Sequence, residues 1–446
     1  VAAEHGTGID RASLEVLAER AAVLPDPWPL EARTALAELL LQGPPAIPVI
    51  EALDQRGLWT RLLPEWEPTR SRPQRNAYHR FTVDRHLCEA AAEAAVLTDR
   101  VARPDLLVLG TWLHDIGKGR AGDHTEVGME IIERLGPRMG LAPADTTTIL
   151  TLVENHLLLA DTATRRDLDD PHTVAAVAEA VGDAVTLDLL HALTEADSRA
   201  TGPAAWGSWK AGLVADLVAR THQVLEGATG AGGPTAGAED EGRLAGLIER
   251  SRAQGGLVVE HGEGHLALAS PDRPGLFSRV AGTLSLHGLD VLAARVWSTD
   301  DGYAAEWFDV QPTFGPPDWP AVEADLRRAL AGRISLEARL ARRADAYRRS
   351  RPRAAVPPRT SVAVDNEASH MATVVDVRAP DAMGSLYRIT RALSEMDLDI
   401  RHAKVSTLGH EVVDAFYVVD ANGAKVVDAE HIAELQAAIL VELGRA

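Results

Sequence analysis

His114 and Asp115 stand side by side in the apolar-flanked stretch Leu113-His114-Asp115-Ile116-Gly117-Lys118. An imidazole and a carboxylate so close together can grip one divalent metal from a single helical turn. Further donors surround the pair in sequence: His86 upstream, then His124, His156 and Asp197 downstream. Eight of the sixteen histidines fall between His79 and His222, so the donors are concentrated in one region. A mixed imidazole and carboxylate set suits Mn, Mg, Fe or Zn. A lone His such as His191 or His222 reads instead as a hydrogen-bonded core or surface residue, and His79 as a site edge or a helix cap.

These donors need helices to aim them. Leu87, Ala91, Ala94 and Ala95 continue a helix that would turn His86 inward. His114 and Lys118 are four apart and would share a helical face. Gly117 and Gly119 end that helix. Asp123, with Glu126 three residues on, reads as an N-cap that puts His124 in the first turn of the next helix. His156 follows the apolar stripe of Ile149, Leu152 and Val153, and Asp197 continues that of Leu190 and Leu193. A carboxylate on an apolar stripe is costly unless paired or metal-bound. Lys118 is placed to offset charge on a substrate oxygen, Asp115 and His124 to act in the chemistry itself. Asp84 is a further carboxylate for proton transfer.

At 446 residues the chain is expected to hold several domains. With 46% hydrophobic and 25% charged residues it has enough apolar mass for globular cores. A net charge of −20 argues against nucleic-acid or anionic-membrane binding. No apolar run approaches the ~20 residues that span a bilayer. One cysteine, Cys88, allows no intrachain disulfide, and a cytoplasmic location is expected.

The pattern divides the chain. Residues 1–76 read as a helical connector, 77–226 as the helical domain with the His cluster, and 227–256 as a Gly-rich flexible linker. Residues 257–341 and 359–446 carry strands and helices in a β-α-β-β-α-β order that occurs twice, with a basic linker at 342–358. In the first unit the closing strand is expected near Ile334–Ala338. Each unit has a turn after its opening strand that leaves backbone N–H groups at a helix N-terminus, a place suited to a carboxylate. Asp272 and Gly275 mark the first turn, Asp381 and Gly384 the second. An amino acid bound there would set its ammonium against Asp272 or Asp381.

The order His86, His114-Asp115, His124, His156, Asp197 resembles the HD phosphohydrolase superfamily. The segments YHRFTVDRHL, LHDIGKGRAGDHTEVG, TRRDLDDP and ADSRATGPAAWGSWK resemble the uridylyl-removing domain of the bifunctional uridylyltransferase/uridylyl-removing family of nitrogen regulation. SPDRPGLFSRVAGTLSLHGLDV resembles the opening of an ACT domain, which that family carries as a C-terminal pair. The resemblance implies an all-α HD-type metal phosphohydrolase domain followed by two α+β ferredoxin-like ACT domains. It implies removal of UMP or AMP from the tyrosine of a nucleotidylated PII signalling protein, with glutamine as effector. Asp167-Leu168-Asp169 has no Gly-Ser turn ahead of it, so the family's nucleotidyltransferase half is expected to be missing. Two other readings stay open: another HD hydrolase, such as one acting on guanosine tetraphosphate, or a non-catalytic amino-acid-sensing module.

Overall fold

Apolar residues at helical spacing dominate the first half of the chain, and in the computed structural model that half is helical, while the second half mixes strands and helices. The structure describes residues 1–74, 80–202, 205–227, 236–299, 301–313, 315–350, 359–408 and 411–444. The chain divides into two units: Val1–Ala163 with Val174–Thr229, and Thr164–Thr173 with Gly230–Ala446.

The first unit opens with α1 (Arg11–Arg20), α2 (Leu30–Leu41), α3 (Ala46–Asp54) and α4 (Leu58–Leu62). It continues with α5 (Val83–Ala95), α6 (Pro104–Leu113), α7 (His124–Arg138), α8 (Pro143–Glu154) and α9 (Leu158–Arg165). Then come α10 (Pro171–Val181), α11 (Ala184–Thr201) and α12 (Ser208–Leu225). Helix α6 is buried on every side, from Leu106 to Leu113, as expected of a central helix that is apolar all round. Its Gly110 lets α8 come close, since a Cβ there would lie 2.6 Å from Leu152 Cδ1. The opening helices share this core: Trp59 and Trp66 pack on Trp112 of α6 at 5.5 and 5.1 Å between ring centroids.

In the second unit α13 (Ala236–Gln254) leads into β1 (Val258–Gly262), β2 (His265–Pro271), α14 (Leu276–Leu286), β3 (Leu289–Ser298), β4 (Tyr303–Pro312) and α15 (Trp319–Leu330). After α16 (Leu336–Ser350) the same order returns in β5 (Ser361–Asp365), β6 (Thr373–Pro380), α17 (Ser385–Glu395), β7 (Asp399–Leu408), β8 (Glu411–Val419) and α18 (Ala429–Gly444). The strands form one antiparallel sheet in the order β1-β2-β4-β3-β7-β8-β6-β5. Its two halves join through β3 and β7, where Ala294 faces Ala403 and Arg295 faces His402. One face is covered by helices over a core that includes Phe308, Phe416, Leu284 and Leu393.

Three expectations are corrected. No strand closes the first repeat near Ile334–Ala338; Leu336 begins α16, and Leu336 and Leu340 bury one turn apart beside Leu286 and Ala329. The edge strand comes first in each repeat instead, as β1 and β5, with β1 hairpinned onto β2 through Gly264 at φ +81°. The region expected to be a flexible linker, 227–256, contains α13. Leu244, Leu247 and Ile248 bury against Ala267, Ala269, Ala305 and Trp307 on the other face of the sheet. Small residues on β2 and β4 leave the room that this helix fills. The basic segment 342–358 begins inside α16, and residues 351–358 lie outside those described.

The segment Thr164–Thr173 lies with the second unit, on the second repeat. Arg166 donates twice to Asp376 at 2.9 Å, and the Asp167 N–H donates to the Tyr417 hydroxyl at 2.7 Å. Among the described residues no helix is long and apolar enough to cross a membrane.

Candidate metal centre

The cluster is built from three helices and two turns. His86 lies one turn into α5 and is buried, 1% exposed. His114 and Asp115, also buried, come directly after α6. Here the structure departs from the expected shared helical face: α6 stops at Leu113, and residues 114–119 run as turns. Lys118 reaches the cluster through that turn, where its N–H donates to the Asp115 carbonyl at 3.0 Å. Two glycines make the turn possible. A Cβ on Gly117 would sit 1.9 Å from the His124 carbonyl oxygen, and one on Gly119, at φ +89°, would sit 2.2 Å from that of Pro68. Arg120 ties the turn down by donating to the Ile116 and Glu65 carbonyls, both at 2.7 Å.

His124 opens α7, whose N-cap is Asp123, accepting from Thr125 and Glu126 N–H at 2.8 and 3.2 Å. His156 follows the end of α8, and Asp197 sits within α11. The donors converge. Asp197 Oδ1 lies 2.9 Å from His86 Nε2 and 3.5 Å from His114 Nε2. Asp115 Oδ1 lies 3.6 Å from His124 Nε2 and 3.8 Å from His156 Nε2. The donor atoms of His86, His114 and Asp115 form one group within 4.8 Å of one another, and those of Asp115, His124 and His156 a second, with Asp115 common to both.

The ring orientations are set by the backbone. His114 Nδ1 meets the Thr111 carbonyl and His156 Nδ1 that of Val153, each at 2.7 Å. A carbonyl can only accept, so each Nδ1 carries the proton and each Nε2 presents its lone pair to the cluster. His114 Nε2 and Asp115 Oδ1 are buried without a hydrogen-bond partner among the described residues. Orphaned buried donors of this kind are what a cation would satisfy.

The charges say the same. Burial alone would push both carboxylates up. Instead His114, with Lys118, holds Asp115 well below the usual carboxylate range, and His114 and His86 do so for Asp197. Burial would lower His114, but Asp115 and Asp197 outweigh it and raise the imidazole to about 10. His156 is lowered, chiefly by burial. The negative charge of this pocket therefore attracts a proton to His114 when no stronger cation competes, and a divalent ion is such a cation.

Lys118 Nζ ion-pairs with Asp115 and donates to Gln74 Oε1 at 3.1 Å. Gln74 was not read from the sequence, and nothing in its spacing marks it. Asp84 is used elsewhere: its two oxygens accept from the backbone N–H groups of Ser71 and Arg85. Lys210, on α12, is held near the Ala205 carbonyl and Ser198, with burial lowering its ammonium. His79 lies outside the described residues.

In the second unit the two expected turns open α14 and α17. Gly275 and Gly384 both adopt left-handed backbone, at φ 75° and 78°, which favours glycine. Each turn borders a cavity, with Asp272 in one and Asp381 in the other.

Family models match at three places: an HD domain over residues 83–200, an ACT domain over 266–318, and an ACR9-like, ACT-like domain over 361–446. The chain therefore carries a match to an HD domain followed by two matches to ACT-type domains. It is similar to the bifunctional uridylyltransferase/uridylyl-removing enzyme of Streptomyces coelicolor, 44% identical over 95% of this chain and 56% of that protein. The corresponding enzyme of Mycobacterium tuberculosis is 42% identical over 93% of this chain and 53% of its own length. That of Rhodospirillum rubrum is 32% identical over 98% and 54%. The chain thus spans about half the length of these relatives. The matched HD region contains all six donors of the cluster, and the two ACT matches include both Asp-x-x-Gly turns.

Proposed function

We propose that this protein is a metal-dependent phosphodiesterase that removes a nucleotidyl group, UMP or AMP, from the tyrosine of a PII signalling protein, regulated by glutamine through its ACT pair. The observation that supports this most is the convergence of buried imidazoles and carboxylates, with the Lys118 ammonium beside them. The similarity to uridylyl-removing enzymes supports the choice of substrate.

His86, His114, Asp115, His124, His156 and Asp197 would hold the metal. When bound, Mn, Mg, Fe or Zn supplies an acidified water and offsets phosphoryl charge. The residues of the chain do the rest. The Thr111 and Val153 carbonyls fix two imidazoles so that no reorganisation is needed on binding. Lys118 places a positive charge against a non-bridging phosphoryl oxygen as negative charge builds there. His124, with a third of its side chain exposed, meets the incoming group at the open side of the cluster. In the reaction water adds to phosphorus, the bond from phosphorus to the tyrosine oxygen breaks, and the tyrosine hydroxyl recovers a proton. A cytoplasmic setting goes with this reading, and buried Cys88 is a free thiol.

The test is mass spectrometry of nucleotidylated PII before and after incubation with the purified chain, alongside metal analysis of the protein. The reading expects the loss of one nucleotidyl mass, the appearance of UMP or AMP, bound metal and a rate that responds to glutamine. Unchanged PII together with turnover of guanosine tetraphosphate would replace it with the small-nucleotide alternative. Turnover of neither substrate would leave an amino-acid-sensing module.

A further inference from the structure

The two repeats of the second unit are related residue by residue. β4 and β8 each carry an acidic residue two positions before a buried Phe: Glu306 before Phe308, and Asp414 before Phe416. Both acidic residues are buried, at 1% exposure, on the helix-covered face of the sheet. The two cavities repeat as well. The first lies between the Asp272–Gly275 turn and the start of β7, the second between the Asp381–Gly384 turn and the start of β3.

The repeats differ in what fills them. The first cavity measures about 420 Å³ and the second about 60 Å³. Small-molecule sites run to about 300–1,000 Å³, and the smaller space holds a few waters. The covering is also different. A Cβ on Gly384 would lie 3.1 Å from Leu340 Cδ1, and Leu340 packs with Met383 and Tyr387 over the second turn. At Gly275 the nearest groups are the hydroxyls of Ser278 and Ser394, at 3.4 and 3.6 Å from such a Cβ. Glu306 Oε2, at the floor of the open cavity, is buried and has no hydrogen-bond partner among the described residues. Burial, with Asp272 and Asp399 nearby, pushes the Glu306 carboxyl well above its usual range, so an N–H donor arriving in the cavity is what would satisfy and ionise it.

We propose that the open cavity at the first turn is the effector site, that the second is closed, and that Glu306 selects the ligand: a zwitterionic amino acid with an uncharged side chain. Its carboxylate lies on the first-turn N–H groups of α14, and its ammonium or amide N–H groups donate to Glu306. Asp272 and Asp399 face the same space and reinforce the preference for N–H donors. A second ligand carboxylate would meet Glu306 and these two, so glutamate is rejected where glutamine is accepted. This assignment rests on reading the ACT pair as an amino-acid sensor and fixes which half senses and by which residue.

The experiment is calorimetric titration of the full chain with L-glutamine and with L-glutamate, joined to thermal unfolding. One glutamine per chain is expected, with glutamate at least ~10-fold weaker. Glu306→Gln should weaken glutamine ~10-fold or more and narrow its advantage over glutamate. Its unfolding temperature without ligand should stay level or rise, an outcome that a purely structural Glu306 would not give. Ser394→Phe fills the open cavity from α17, leaves Glu306 in place, and should abolish binding. Asp414→Asn, in the closed cavity, should change nothing. Glutamine binding that survives Glu306→Gln and Ser394→Phe but is lost in Asp414→Asn overturns the site assignment and leaves glutamine sensing intact. Binding of a different amino acid, still dependent on Glu306, upholds the site and removes glutamine from the reading. No heat with any of the common amino acids overturns both.

Discussion

His86 Nε2 and Asp197 Oδ1 lie 2.9 Å apart, although α5 and α11 stand at opposite ends of the helical sequence that carries the cluster. The pair closes one side of the donor set, and Asp115 closes the other. Removing a donor from either side should therefore be felt by the whole set.

His114→Ala and Asp115→Ala should each lower nucleotidyl release by ~10²-fold or more and remove bound metal, with the helical fold retained. In the unchanged protein, added Mn²⁺ at about one hundred times its Kd should stabilise the first unit by about 2.7 kcal/mol. Metal analysis and thermal unfolding with and without a chelator would check this. Normal metal content and full activity in either variant would remove these two residues from the site.

Lys118→Ala should keep the metal and lose rate, by ~10²–10³-fold. An ammonium cannot ligate, so its contribution lies in charge stabilisation. Stopped-assay rates beside metal content separate the two roles. Loss of metal, or an unchanged rate, would count against it.

Gly117→Ala tests the turn rather than the donors. The new Cβ would meet the His124 carbonyl at 1.9 Å and the Gly128 N at 2.6 Å, both backbone atoms with little room to yield. Forced shifts of this kind cost about 1–3 kcal/mol. The unfolding temperature should fall, and metal affinity with it, because His124 and Asp115 move apart. Wild-type values for both would show that the close approach is unimportant.

A pH effect is expected in the second unit. Burial, reinforced by Lys404 on the same strand and Arg295 on β3, holds His402 well below the usual imidazole value of 6.5, against a weak opposing pull from Asp169. Tyr417 packs beside its ring, and its Nε2 is buried without a hydrogen-bond partner among the described residues. The folded chain thus keeps His402 neutral where the unfolded chain protonates it. Stability is unaffected above about pH 6.5 and falls as pH drops below it, by at most about 1.4 kcal/mol per pH unit. His402→Leu should flatten that decline in unfolding followed by circular dichroism. An equally steep decline in the variant would place the titrating group elsewhere.

The chemistry-bearing residues of the helical domain could be read directly from the sequence. Their types, their order and the Asp123 cap are local facts, and the fold brings the six named donors together. The repeat of Asp-x-x-Gly turns was legible for the same reason, since left-handed glycines and helix starts are set within a few residues. Other features depended on distant partners. The Gly-rich run near residue 230 gave no sign that Leu244, Leu247 and Ile248 would find a sheet face lined with alanine. The edge strands β1 and β5 are short and exist through their neighbours' ladders. Glu306 and Asp414 looked like ordinary strand residues, and only the tertiary structure puts both on the buried face. Which cavity stays open was likewise decided by α16, whose Leu340 covers one turn and leaves the other free. Composition and spacing determine what each segment can do alone; which surfaces meet is settled by packing between segments far apart in the chain.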